Sequence, residues 1–180
     1  MNPSPQDHVY FREVQTFRQP WIWTLLVVMT LAAVILFGYG MVKQLVFGQP
    51  WGDRPMSDGA LAIVGPLVIL FTIGITYLFL KLKLVAEVRN DGLYIRFYPL
   101  SRQIIRYENI EESYVRTYRP LKEYGGWGIR YGRKGKAYNV SGNRGVQLKL
   151  SGGKQLLIGS QQPEKLADAI SKRMKNQNVP

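Results

Sequence analysis

Two long stretches of the chain carry no charge, and the rest of the sequence is organised around them. Gln19–Val42 reads QPWIWTLLVVMTLAAVILFGYGMV, 24 residues, and Gly59–Leu80 reads GALAIVGPLVILFTIGITYLFL, 22 residues. About 20 predominantly apolar residues suffice for a helix to cross the hydrocarbon core of a bilayer. Both stretches are apolar on every face, unlike the amphipathic helices that pack on soluble cores. They predict a hairpin of two membrane-spanning helices. Between them Gly48, Pro50, Gly52 and Pro55 break the chain into a short turn. After Leu80 the period changes to two. Leu82, Leu84 and Ala86 alternate with lysines, and Asn90-Asp91-Gly92 is a hairpin turn. About seven strands follow at close spacing: through residue 87, 93–98, 102–107, 112–118, then short segments around the turn 132–136, and a final hairpin over 146–158. From Pro163 onward the apolar positions fall at 166, 169/170 and 174, which is helical spacing.

The flanks of the apolar stretches support the bilayer reading. Trp21, Trp23 and Trp51 are interface anchors by position, because an indole joins an apolar ring to a polar N–H. Pro20 suits a first helical turn. The first stretch lacks a basic leader and a small-residue cleavage site, so it reads as a retained anchor rather than a signal peptide. Arg12 and Arg18 precede the first span, and Lys81, Lys83 and Arg89 follow the second. Basic flanks stay cytoplasmic, which places both termini at the inner face of the cytoplasmic membrane. The organisation is then a cytoplasmic segment 1–18, a transmembrane hairpin 19–80 and a cytoplasmic β-domain 81–180.

Charge sharpens this division. Residues 1–80 hold four basic and four acidic residues; residues 81–180 hold 20 basic and 8 acidic, so the whole net charge of +12 lies in the second part. The chain has no Cys and one His, His8, which excludes thiolate chemistry, disulfides, zinc fingers and His-based triads or metal clusters. No cofactor motif is present, and the spans carry no interior charge of the kind transport paths use. The reading is therefore not an enzyme.

The positive charge gathers at one turn. Arg130, Arg133, Lys134, Lys136 and Arg144 are interleaved with Gly132, Gly135, Gly142 and Gly145. Glycines let backbone N–H groups approach an anion while the bases supply charge, so the turn is a candidate site for anionic lipid head groups or a protein partner. Non-specific apposition to the bilayer and a plain solvated loop stand beside that reading. Tyrosines interleaved with bases also suit single-stranded nucleic acid, but strands use aromatics for packing, and no nucleic acid is expected. Trp127, between glycines, reads as a plug of the β-domain core or as an exposed partner anchor.

Strands followed by a closing helix resemble a pleckstrin-homology fold. The chain more closely resembles uncharacterised prokaryotic membrane-anchored PH-like proteins. The resemblance rests on Glu13–Trp23 before the first span, Ile105–Ile110, Gly125–Arg130, Ala137–Gly142, Gly145–Leu148 and Leu157–Glu164. It implies an all-β PH-like barrel of about seven strands capped by a C-terminal helix, and it carries no assigned activity. The expectation is a non-enzymatic accessory or scaffolding subunit of a larger membrane complex, with the small residues Ala32, Ala33, Gly38, Gly40, Gly65 and Gly74 at helix contacts. The alternative is a tethered module that senses anionic lipid.

Overall fold

A computed structural model describes residues 8–132 and 135–177. Contacts within the chain separate Arg18–Lys81 from a second unit, made of the chain before and after it.

The first unit is a helical hairpin. Helix α1 spans Pro20–Met41 and continues as one π-helical turn, Val42–Val46; helix α2 spans Asp58–Lys81. Both are long and apolar enough to cross a membrane, and little of either is buried by the protein itself. Pro66 lies within α2 without ending it. The helices meet closely at Gly65, whereas Gly38 and Gly74, also expected at contacts, have open space around them. A side chain at Gly65 would press on the Met41 thioether, and one at Gly40 would meet the Trp51 ring. Trp51 is thus a packing element of the turn, set edge-on to Phe37 with ring centroids 5.8 Å apart. Gln44 holds the same turn together. It donates to the Met56 carbonyl at 2.6 Å and to the Asp58 carboxylate at 2.8 Å, and accepts from the Trp51 N–H at 3.3 Å. Mid-hairpin, the Thr30 and Thr76 hydroxyls lie 3.0 Å apart across the helices. Each also bonds a carbonyl of its own helix, so neither hydroxyl is left unpaired.

The second unit begins before the hairpin. Strand β1, Val9–Thr16, pairs antiparallel with β2, Lys83–Arg89. Strands β3, Leu93–Tyr98, and β4, Ser101–Ile105, complete a four-stranded meander. The segment before the first helix, read from sequence as separate, is therefore part of the β-domain, and the hairpin is an insertion between two adjacent strands. A second sheet has the order β5-β8-β9-β7-β6. Its strands are β5 (Ile110–Thr117), β6 (Gly128–Gly132), β7 (Gly135–Asn139), β8 (Arg144–Leu150) and β9 (Lys154–Gly159). The β7–β9 pairing is parallel. The described residues thus hold nine strands rather than about seven, in two sheets that no strand ladder joins. The expected closed barrel is not formed.

The inner faces make the core. Leu84, Ala86, Val88, Leu93, Ile95 and Phe97 from the first sheet and Val146, Leu148, Leu156 and Ile158 from the second are all buried. Helix α4, Pro163–Gln177, packs on β1, β2, β5 and β8, with Leu166 and Ile170 fully buried. A short helix α3, Pro120–Tyr124, covers the outer face of the second sheet. There Tyr118, Tyr124, Ala137 and Leu157 form a small buried cluster.

Buried phenols give this unit a pH signature. The Tyr107 hydroxyl donates to the Arg89 and Gly92 carbonyls at 2.6 and 3.1 Å. Burial pushes its pKa well above the ordinary tyrosine value. Burial likewise raises Tyr118 and Tyr124. The folded state holds these phenols neutral, while an unfolded chain releases their protons near pH 10. Their contribution is complete below that pH and is lost as pH rises further. Thermal unfolding followed by circular dichroism should show a midpoint that falls steadily above about pH 10. A level profile there would contradict the buried-phenol account.

An open basic cleft beside the β6–β7 hairpin

The two sheets part between the β4 edge and the β6–β7 hairpin, leaving an open cleft of about 420 Å³. Gln103 lines it from β4, Tyr131 and Lys136 from the hairpin, and Lys154 and Gln155 from the start of β9. Register explains the meeting. Tyr131 faces Lys136 across the β6–β7 ladder, and Lys136 pairs in parallel with Leu156. This brings the beginning of β9 against the beginning of β7.

Glycines make the approach possible. Gly135 has φ +86°, and a Cβ there would strike the backbone carbonyl of Gln155. A Cβ at Gly132 would strike the carbonyl of Glu123. The hairpin is wedged between α3 and β9 at a distance only glycine allows.

Lys136 is the best-defined cation of the cleft. Its ammonium lies 4.5 Å from the Tyr138 ring centroid and 5.6 Å from that of Tyr131. Partial burial pulls its pKa down. Hydrogen bonding and attraction to Tyr138, with a lesser share from Tyr131, outweigh this, and the net shift is upward. The side chain stays charged at neutral pH. Tyr138 is fully buried and bridges the sheets, with its hydroxyl 3.1 Å from both Gln103 Oε1 and Ser101 Oγ. Two lysines, two amide side chains and an exposed Tyr131 make a wall suited to an anionic or polar group. Among the described residues no cluster of His, Asp or Glu is arranged to hold a metal ion.

The structure divides the five basic residues expected to act together. Arg133 and Lys134 lie outside the described residues. Lys136 lines the cleft. Arg130 pairs with Ala137, on the opposite face from Lys136, and its Nε donates to the Trp127 carbonyl at 2.9 Å. Arg144 stands level with Ser160, whose N–H bonds its carbonyl, and forms an ion pair with Glu164 of α4. Ser160 is four residues along the chain from Leu156, about 13 Å of strand. Arg144 is therefore removed from Lys136. Trp127 does not plug the core; it is half-buried and donates to the Gly142 carbonyl at 3.0 Å. Of the three indoles expected at the interface, Trp21 is exposed, Trp23 is half-buried and Trp51 packs within the turn. Sequence reasoning missed Lys154, Gln155 and Gln103, and met Tyr131 only as one of the tyrosines interleaved with bases. Their only local signal was a lysine after Gly152-Gly153.

A protein-family model described as a family of unknown function (DUF6141) matches residues 2–176 of the chain. No curated protein matches it.

Proposed function

Because the chain belongs to DUF6141, a family of unknown function, its role has to be read from its own geometry, and we propose that it is a membrane-anchored, non-enzymatic interaction protein. In this reading α1 and α2 span the cytoplasmic membrane as a hairpin. The β-domain is a PH-like module at the inner face, opened by the extra β6–β7 hairpin. The protein serves as an accessory or scaffolding subunit that docks its spans on other membrane proteins and offers the basic cleft to a partner.

One observation carries the proposal. β1 leads into α1, β2 follows α2, and Thr16 and Lys83 are paired across the ladder. Two neighbouring strands of one sheet lie on one side of a membrane, so the apolar stretch between them must cross an even number of times. The connections are residues 17–19 and 82 alone, so the domain stays within a few residues' reach of the bilayer. Basic residues at both ends of the hairpin, Arg18 and Lys81, favour the cytoplasmic side for the domain.

The absence of cysteine allows a clean test of topology. A membrane-impermeant maleimide should label Phe47→Cys, in the turn between the helices, on intact cells. Leu121→Cys, exposed on α3, should label only after lysis. Labelling of both from outside would refute the arrangement. For function, the tagged chain purified in mild detergent should bring down membrane proteins at stoichiometric yield, and Lys136→Glu with Lys154→Glu should reduce that yield. Anionic lipid retained by the unpartnered protein, and lost in the same variant, would turn the reading to the lipid-sensing alternative.

A further inference from the structure

The cleft is not the only basic surface of the β-domain. On the outer face of the first sheet Arg96 and Arg102 stand directly opposite each other across β3 and β4. Like charges in that position repel. Both are exposed, and among the described residues neither has an ion pair. Glu87, on the same face, is taken up by Arg12 at 3.3 Å and Arg89 at 2.5 Å. Beside the two arginines the turn Tyr98-Pro99-Leu100 bounds an open hollow of about 420 Å³. Leu100 is 57 % exposed and Tyr98 45 % exposed. The Lys83 ammonium lies 5.3 Å from the Tyr98 ring centroid.

The register places this turn. Thr16, Lys83 and Tyr98 form one row across β1, β2 and β3. That row is where the chain leaves for α1 and returns from α2. The β3–β4 turn follows directly on its third member.

We propose that this corner of the sheet is a bilayer-contacting edge: Leu100 and Tyr98 enter the interfacial layer while Arg96 and Arg102 together hold the phosphate of an anionic lipid head group. The chemistry fits each part. A guanidinium pair that repels in isolation is relieved by one bridging phosphate, which guanidinium groups bind in bidentate fashion. An exposed leucine and a tyrosine beside basic residues are the usual components of an interfacial contact. A protein surface could offer carboxylates to the arginines. However, the hollow lies at the end of the sheet from which both connections to the helices leave, which favours the leaflet as the anionic surface.

The inference rests on the helices spanning the membrane, and the test separates the two claims. The full chain is placed in nanodiscs of phosphatidylcholine, with or without phosphatidylglycerol. An environment-sensitive fluorophore is attached at Leu100→Cys, or at Leu70→Cys in the middle of α2, and quenched with neutral aqueous acrylamide. The probe at 100 should be quenched about fivefold less in the anionic discs, a factor corresponding to about 1 kcal/mol for the arginine pair as a whole. Arg96→Glu with Arg102→Glu should abolish the difference. Equal quenching in the two lipids, or protection that survives the double reversal, overturns the proposal. A probe at 70 shielded in both lipids keeps the anchoring reading even then. A probe at 70 open to acrylamide overturns both.

Discussion

A chain lacking residues 8–17 is expected to lose the β-domain, although the part removed precedes the first apolar helix. Strand β1 is not a decoration on the sheet edge. Phe17 is buried and meets Phe97 edge-on, with ring centroids 6.3 Å apart. Glu13 is buried and accepts hydrogen bonds from Ser160 Oγ at 2.5 Å and the Gln161 N–H at 2.7 Å, tying β1 to the junction of β9 and α4. Gln15 donates to the Gly159 carbonyl at 2.8 Å. Truncating a buried phenylalanine costs about 3 kcal/mol or more. Each hydrogen bond to a buried carboxylate adds roughly 1.5–3 kcal/mol. The sum, about 6–9 kcal/mol, is as large as the whole net stability of many domains. Proteolysis in detergent should cut the truncated chain within β2, β3 and α4, while the hairpin, a separate contact unit, remains protected. An unchanged digestion pattern would refute the role given to β1. Glu13→Ala, which keeps the strand, should show a smaller loss of about 3–6 kcal/mol in urea unfolding.

That strand also marks where the sequence stopped being legible. Its inward row is Phe11, Glu13, Gln15 and Phe17, while Val14 is half exposed. The alternation is present, but with a carboxylate inside and a valine outside, so a pattern of apolar-in and polar-out could not find it. The partner, β2, is separated from it by the entire hairpin. The strands of β2–β4 and β8–β9 were readable because their turns announce them. Arg89 N–H closes on the Gly92 carbonyl, and Gly152 and Gly153 both adopt positive φ at the β8–β9 turn. The two apolar helices were readable from length alone.

The site was less legible for a related reason. A run of bases along the chain suggested one anion-binding turn, yet successive residues of a strand face opposite ways. Arg130 and Lys136 were thereby sent to different faces, and Arg144 to an ion pair with α4. The parallel pairing of β7 with β9 sets Lys136 beside Leu156, so that Lys136 and Lys154 line one cleft. Parallel pairing leaves no local signature, since neither strand's own residues specify the partner.

Helix α4 was legible as a helix, and its packing supplies the second large effect. Leu166→Ala combined with Ile170→Ala should release α4 from the β-domain. Each side chain is fully buried, and each truncation costs about 2–5 kcal/mol. The two positions are one turn apart, so their effects will not add strictly, and about 4–8 kcal/mol is expected in all. A 15-residue helix is marginal alone in water, so once undocked it should also unwind. The remaining ties are weak by comparison. Ser171 and Ser113 lie 3.3 Å apart, and the Arg173 guanidinium sits 4.4 Å from the Tyr10 ring centroid. Amide exchange across α4 should rise to that of an unfolded segment, and exchange in β5 and β8, which it covers, should rise with it. Lys172→Ala is the matched control. It breaks an ion pair with Asp168 whose side chains are 71 % and 60 % exposed, and should cost under about 1 kcal/mol. If the double alanine variant exchanged no faster than Lys172→Ala, α4 would be an ornament on the sheets rather than the cap that holds them together.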